Sequence, residues 1–416
     1  TNMSSKKQDL QTPKGFRDFL PEEKRRRDYV SDSIKETFEI FGFEPLETPT
    51  LEYSKVILGK YGKEADKLVY SFKDRGNRDL SLRYDQTVPT ARVLSQYQDK
   101  LPKFFRRYQI QNVFRADKPQ KGSYREFTQC DIDIFNTSSP LADAEIIACT
   151  YNVFKNLNFP NIILKVNDRK ILFDNLKPFS SKNLSTLSII QTIDKLDKKT
   201  KEQVIEELVK KGLDKKSAKQ ILTDISKATT TKNLDSIISL AIKLGVPEKN
   251  IEFTPYLARG LDYYTGMIFE IIIPDYPIDS FGGGGRYDKL INELGGPNTT
   301  AVGIAYGFDR MVEAATELGL IDLVSSTNNV LVTQFENYED LSIKTAKELR
   351  DAGIKTEIYL QSDDLNKQLK YANQKQIPFV VIIGPDEAKE NQVTLKDMDQ
   401  KTQVTLPLDK VIQKLK

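Results

Sequence analysis

The residues best equipped for chemistry fall in one stretch, 104–135, FFRRYQIQNVFRADKPQKGSYREFTQCDIDIF. Its second half reads as a strand in which Arg125, Phe127, Gln129, Asp131 and Asp133 share one face by the period of two. Thr128, Cys130, Ile132 and Ile134 take the opposite face. The first half repeats the pattern, with Tyr108, Ile110 and Phe114 on one side and Gln109, Gln111 and Arg115 on the other. Residues 116–123 connect the two, with Pro119 and Gly122 as turn residues. One sheet surface is thereby lined with arginine, an aromatic ring, an amide and carboxylates, a set that can grip anions and exchange hydrogen bonds. An antiparallel sheet with one solvated face produces the same alternation, so pattern alone leaves both readings open.

Histidine is absent from all 416 residues. Ser-His-Asp and Cys-His catalysis, His-ligated zinc and an imidazole acid or base are therefore excluded within this sequence. Any enzymatic chemistry must run on arginine, carboxylates, bound metal and positioning. Cys130 and Cys149 are the two cysteines and offer neither zinc-site spacing nor a disulfide framework, which fits a reducing, cytoplasmic setting. No apolar run is long enough to span a bilayer. The net charge of +3 implies no long-range attraction to nucleic acid, so an RNA-binding surface would come from local clustering, such as the lysines between 195 and 249.

Several elements must position the polar face. A helix is expected from Pro21, with Glu22 and Glu23 in its first turn, to about Gly42. FEPLETPTLE at 43–52 reads as a strand interrupted at Pro49. LSLRYDQTVPTARVL reads as a strand running into a helix, with Asp85 and Thr87 at the junction, where they cap the helix or face a pocket. A helix over 141–157 and a strand over 162–166 follow, then a lysine-rich helical stretch to about 244 that suggests a separate subdomain. The glycine run FGGGGRYDKLINEL leads into a helix and lacks the Lys-Ser or Lys-Thr of a P-loop, so its use is close approach of backbone to a ligand or strand. Beyond SSTNN at 325–329, strands and helices alternate as in a small α/β domain with a parallel or mixed sheet.

Taken in order, these segments resemble the histidyl-tRNA synthetases, class II aminoacyl-tRNA synthetases, over nearly the whole chain. PKGFRDFLPEE stands near the start, FGFEPLETPTLE is similar to motif 1, LRYDQTVPTAR follows, VFRADKPQKGSYREFTQCDIDIF is similar to motif 2, and GIAYGFDR to motif 3. RGLDYY at 259–264 followed by GGGGRYD at 282–288 is the specific pair. The resemblance implies an α+β fold: a class II antiparallel sheet with flanking helices over 10–167 and 246–324, a helical insertion subdomain over 168–245, and an anticodon-binding α/β domain over 329–416.

Carried over residue by residue, the resemblance implies that Arg115 contacts the ATP α-phosphate and the substrate carboxylate, and that Phe127 and Arg310 sandwich adenine. Asp117 stands near the nucleotide, and Arg259 is the family's particular catalytic arginine, aimed at the α-phosphate. Asp85, Thr87 and Gln129 match positions that hold the amino acid's ammonium and carboxylate groups. Asp133, Tyr263 and Tyr264 match the imidazole pocket, where Arg259 also borders the histidine. Lys118 and Gln120 fall where the family reads the tRNA acceptor end. Asp85, Asp133 and Asp309 stand where many members carry glutamate, and Ser123 where arginine is common, with Lys121 a candidate to compensate.

The implied activity is ATP-dependent ligation of L-histidine to tRNA(His) through a histidyl-adenylate, with ATP and Mg²⁺ required, no metal held by protein side chains alone, and a homodimer implied by motif 1. Chemistry without histidine suits that reaction. The substrate's own carboxylate attacks the α-phosphorus, so positioning and positive charge suffice for the first step. The rival reading is a non-catalytic synthetase-like regulatory subunit of histidine biosynthesis. Such paralogues tend to lose the carboxyl-terminal domain and the catalytic arginines, whereas 329–416, Arg115, Arg259 and Arg310 are all present here.

Overall fold

The computed structural model describes residues 10–60, 66–118, 124–258, 263–321 and 330–416. The chain divides into two compact units, Thr1–Ile321 and Asp322–Lys416. In the first, the hairpin expected from the alternating pattern forms from Arg106–Phe114 and Glu126–Phe135, with Arg107 opposite Asp133, Gln109 opposite Asp131 and Gln111 opposite Gln129. This hairpin sits inside an eight-stranded sheet. Across it run Glu44–Pro45, Arg106–Phe114, Glu126–Phe135, Ala301–Tyr306, Gly282–Arg286, Met267–Ile272, Ile163–Asp168 and Ile251–Phe253. The interior pairings are antiparallel, and the short edge strands pair parallel to their neighbours.

The period of two decides what each face of the sheet meets. Cys130, Ile132 and Ile134 are buried in a core shared with Val30, Ile34 and Phe38 of the helix Pro21–Ile40 and with Ile146, Ile147 and Phe154 of the helix Pro140–Asn156. The spacing of Val30, Ile34 and Phe38 puts all three on one stripe of their helix. Pro21 opens that helix and Gly42, at φ +74°, turns the chain beyond its end. Cys130 and Cys149 are free thiols within this core.

Two local expectations change. FEPLETPTLE is not one interrupted strand but two short ones, Glu44–Pro45 in the large sheet and Leu51–Tyr53 in a separate three-stranded sheet. The glycine run is itself the strand Gly282–Arg286, threaded between Met267–Ile272 and Ala301–Tyr306. A Cβ on Gly284 would lie 2.0 Å from the Gly303 carbonyl oxygen, so side chains are excluded there by the neighbouring backbone.

The helical insertion follows the strand Ile163–Asp168. Ile189, Val204, Leu208, Ile221 and Ile225 of its helices join one core with Val88, Phe105 and Phe135. Its last helix, Lys232–Lys243, returns to the sheet and packs on Pro140–Asn156 through Leu234, Ile237 and Ala241. The second unit has a mixed sheet in the order Thr356–Ile358, Val330–Val332, Phe379–Ile382, Val393–Asp397, Gln403–Leu406, the first three parallel and the rest antiparallel. Among the described residues no helix is long and apolar enough to cross a membrane.

Candidate active site

The polar face of the hairpin opens onto a cavity of about 1040 Å³. Asp85, Thr87, Arg115, Asp117, Phe127, Gln129, Asp133, Tyr263, Tyr264 and Arg310 all line it. The sheet supplies the reason. Phe127, Gln129, Asp131 and Asp133 are successive same-face residues of one strand, and Arg115 follows the end of its partner strand. Lys118 is exposed and outside the cavity lining. Arg259, Gln120, Lys121 and Ser123 lie outside the described residues.

Arg115 marks one end. Its Nε donates to the Tyr84 carbonyl oxygen at 3.1 Å, and its guanidinium carbon lies 4.5 Å from the Tyr84 ring centroid and 5.1 Å from that of Phe127. Flat aromatic neighbours restrain the guanidinium without neutralising it. Arg310 Nη1 donates to the Ser280 carbonyl oxygen at 3.1 Å on the same cavity's wall. Asp309, the shorter acid of the motif 3-like segment, accepts from Arg17 and Arg27 and from the backbone N–H of Thr128. Its carboxylate ties the amino-terminal segment to the hairpin.

Asp85 does two jobs at the start of the helix Thr87–Gln96, and Thr87 is that helix's first residue. Asp85 Oδ1 accepts from the Val88 N–H at 3.2 Å, so the capping role is present, and both residues still border the cavity. Gln86 between them is buried and donates to the Gln129 carbonyl at 2.9 Å, pinning the helix start to the hairpin.

The opposite end holds a buried charge cluster. Arg107 is 1 % exposed, and its Nη2 lies 2.7 Å from Asp133 Oδ2 and 3.8 Å from Asp131 Oδ2. The Tyr287 hydroxyl donates to Asp133 Oδ1, and Gln129 Nε2 donates to Asp131 Oδ2 at 2.7 Å. Burial pushes the Asp131 carboxyl up to about 7 against the pull of Arg107, with Asp133 and Asp85 adding to the rise. Burial likewise raises Asp133, while Arg107 and Tyr287 draw it back. The Tyr263 and Tyr264 rings pack 4.7 Å apart, and the edge of Tyr263 meets Tyr287 at 6.1 Å.

Arg107 and Tyr287 were not among the expected site residues, and Asp131 was placed on the face without a role. The signal for Arg107 was the same period that selected Gln109 and Gln111. Tyr287 carried none, because only the tertiary fold separates it from its neighbour Arg286. That arginine turns away to pair with buried Asp143.

The comparisons with known proteins show the family. A family model described as histidyl-tRNA synthetase matches residues 15–311, and one described as an anticodon binding domain matches 324–416. A histidine–tRNA ligase of Azobacteroides pseudotrichonymphae is 38 % identical, covering 97 % of this chain and 98 % of the relative. One of Gloeobacter violaceus is 36 % identical over 96 % of this chain and 97 % of its own length. The crystal structure of histidyl-tRNA synthetase from Nostoc sp. PCC 7120 superposes with a TM-score of 0.86 at 29 % identity, covering 98 % of this chain and 99 % of that one. The chain belongs to the histidyl-tRNA synthetase family.

Proposed function

We infer that this protein is a histidine–tRNA ligase: it joins L-histidine and ATP into histidyl-adenylate with release of pyrophosphate, then passes the histidyl group to the terminal ribose of tRNA(His). The observation that carries the reading is the convergence of Asp85, Arg115, Phe127, Gln129, Asp133, Tyr264 and Arg310 from distant parts of the chain onto one cavity. In this reading Arg115 and Arg259 hold the α-phosphate, and Asp117, Phe127 and Arg310 border the nucleotide. Asp85, Thr87 and Gln129 take the ammonium and carboxylate groups, and Asp133, Tyr263 and Tyr264 enclose the imidazole.

No protein base is required for the first step, because the amino acid's carboxylate is itself the nucleophile. What the residues supply is alignment of that oxygen with the α-phosphorus and positive charge on the non-bridging oxygens as pyrophosphate leaves. A guanidinium held between two rings, as Arg115 is, needs little reorganisation when that charge develops. Among the described residues no three acidic or sulfur side chains gather as a metal cage. The donor set fits Mg²⁺ carried on the ATP phosphates, with Asp117 the carboxylate at that end of the cavity. Bound there, the ion would neutralise phosphate charge.

Lys118 and Gln120 are proposed to meet the tRNA acceptor end. The boundaries 10–167 with 246–324, 168–245 and 329–416 are proposed as catalytic, insertion and anticodon-binding regions. A cytoplasmic homodimer completes the reading, and light scattering should return twice the 47.5 kDa chain mass. The deciding experiment is ATP–pyrophosphate exchange across a panel of amino acids. Exchange with histidine alone is expected, and none with histidine, under conditions where a known synthetase works, would sink the function.

A further inference from the structure

The strand ladder under the cavity ends before it reaches the residues read as bordering adenine. Pairing between Glu126–Phe135 and Ala301–Tyr306 runs from Phe135 opposite Ala301 to Cys130 opposite Tyr306 and stops there. Phe127 and Arg310 both lie beyond that last pair, and both line the cavity. Past the ladder, side chains carry the connection. Asp309 Oδ2 accepts the backbone N–H of Thr128 at 3.3 Å, so a single carboxylate joins the residue after Phe127 to the residue before Arg310.

That carboxylate is itself held. Its Oδ1 accepts from Arg17 Nη2 at 3.1 Å and from Arg27 Nη1, and Arg27 Nη2 donates to Thr128 Oγ1 at 2.9 Å. Arg27 is 8 % exposed, with its guanidinium carbon 4.0 Å from the Phe19 ring centroid and 5.0 Å from that of Phe308. Arg17 lies over the ring of Tyr124 at the foot of the hairpin's second strand, and the Gly15 carbonyl accepts the Arg125 N–H at 2.9 Å. Both oxygens of Asp309 are thus engaged by protein donors, so it borders the cavity as a support for its neighbours. Charge-assisted bonds from two guanidinium groups make that support stiff. Resting on the proposed histidine–tRNA ligase reading, we propose that Asp309 is a positioning residue for ATP: with Arg17 and Arg27 of the amino-terminal segment, it sets the separation of Phe127 and Arg310 and so the width of the slot that takes the adenine ring. A flat base gains its stacking energy at van der Waals separation, and a slot wider by about an ångström loses much of it.

The test is exchange kinetics with Asp309→Asn, which keeps the shape and removes the charge that Arg17 and Arg27 hold. The KM for ATP is expected to rise about 5- to 100-fold, the range for a lost base-stacking contact. The KM for histidine, the KM for pyrophosphate and the kcat should stay within about threefold, because neither of those two ligands carries an adenine ring. Asp309→Glu restores the carboxylate and should bring the ATP KM back to within about threefold of the wild type. The melting temperature of Asp309→Asn should fall as Arg27 loses its charge partner, so the split among the KM values decides and stability does not. An ATP KM within twofold of the wild type overturns the proposal. So does a parallel rise for ATP, histidine and pyrophosphate, or an ATP KM that Asp309→Glu leaves as high as Asp309→Asn does. If the amide variant does not fold, Arg17→Gln, at a side chain one-quarter exposed, is judged by the same three KM values. Wild-type protein that shows no exchange with histidine sinks the ligase reading itself, whereas a normal wild type with an indifferent Asp309 variant sinks this inference alone.

Discussion

Arg107 carries its charge where water does not reach, and its worth lies in what it prevents. Without it, Asp131 and Asp133 would be buried carboxylates without their ion-pair partner among the described residues. Arg107→Met is therefore expected to cost about 3–5 kcal/mol of folding stability, the usual penalty for breaking a buried pair from one side. Urea denaturation at pH 8 measures it, and a loss under 1 kcal/mol would show that the pair is not coupled as the geometry implies. A second expectation concerns pH. Asp131 titrates at 3.8 when unfolded and at about 7 when folded, raised by burial against Arg107, with Asp133 and Asp85 adding to the rise. Between those values the folded chain keeps a proton that the unfolded chain has released, so stability from this group falls as pH climbs and is fully lost above about 7. Wild type should therefore lose ground to Asp131→Asn between pH 5 and pH 8, by on the order of a few kcal/mol. Parallel stability curves for the two proteins would contradict the assignment.

At the scale of elements, the strand Gly282–Arg286 shows how a site can depend on what is missing. Its glycines let two neighbouring strands close in, and the Gly303 carbonyl occupies the place where a Cβ on Gly284 would stand. Gly284→Ala should cost about 3 kcal/mol or more, because the obstruction is backbone and cannot rotate aside. Thermal unfolding reads this directly, and an unchanged melting temperature would mean the strands can separate without penalty. The same strand explains why Tyr287 reaches Asp133 while Arg286 clamps Asp143 on the other side of the sheet. Sequence order put these residues side by side, and pleating sent them apart. Much of the hairpin was legible beforehand because alternation is a local property: the polar and apolar faces formed as the period of two required. The motif 1-like segment was less so, since its two short strands join different sheets and nothing local to Pro49 says which partners will be available.

At the scale of the molecule, each unit has hydrophobic cores built entirely from its own residues. Ile132, Ile146 and Phe269 belong to the first, and Val332, Leu349 and Val381 to the second. Ending the chain at 321 should thus leave the first unit folded, with exchange in the presence of histidine retained and tRNA charging lost. Loss of cooperative unfolding in the shortened protein would reveal a stabilising dependence between the units.

By itself the sequence determined the class of chemistry and the set of candidates. The absence of histidine removed imidazole catalysis, the alternation of 125–133 assigned one polar face, and the ordered motifs named the residues that line the cavity. Those are properties of residue type and spacing, which survive without knowing the fold. Only the tertiary structure decided which groups each buried carboxylate meets. Arg107 lies opposite Asp133 because of strand register, and Tyr287 arrives from just beyond a strand some 150 residues distant in the chain. Which partners a buried acid meets depends on groups brought together by folding: Asp133 lies 2.7 Å from Arg107 and accepts from Tyr287, whereas Asp131 lies 3.8 Å from Arg107 and accepts from Gln129.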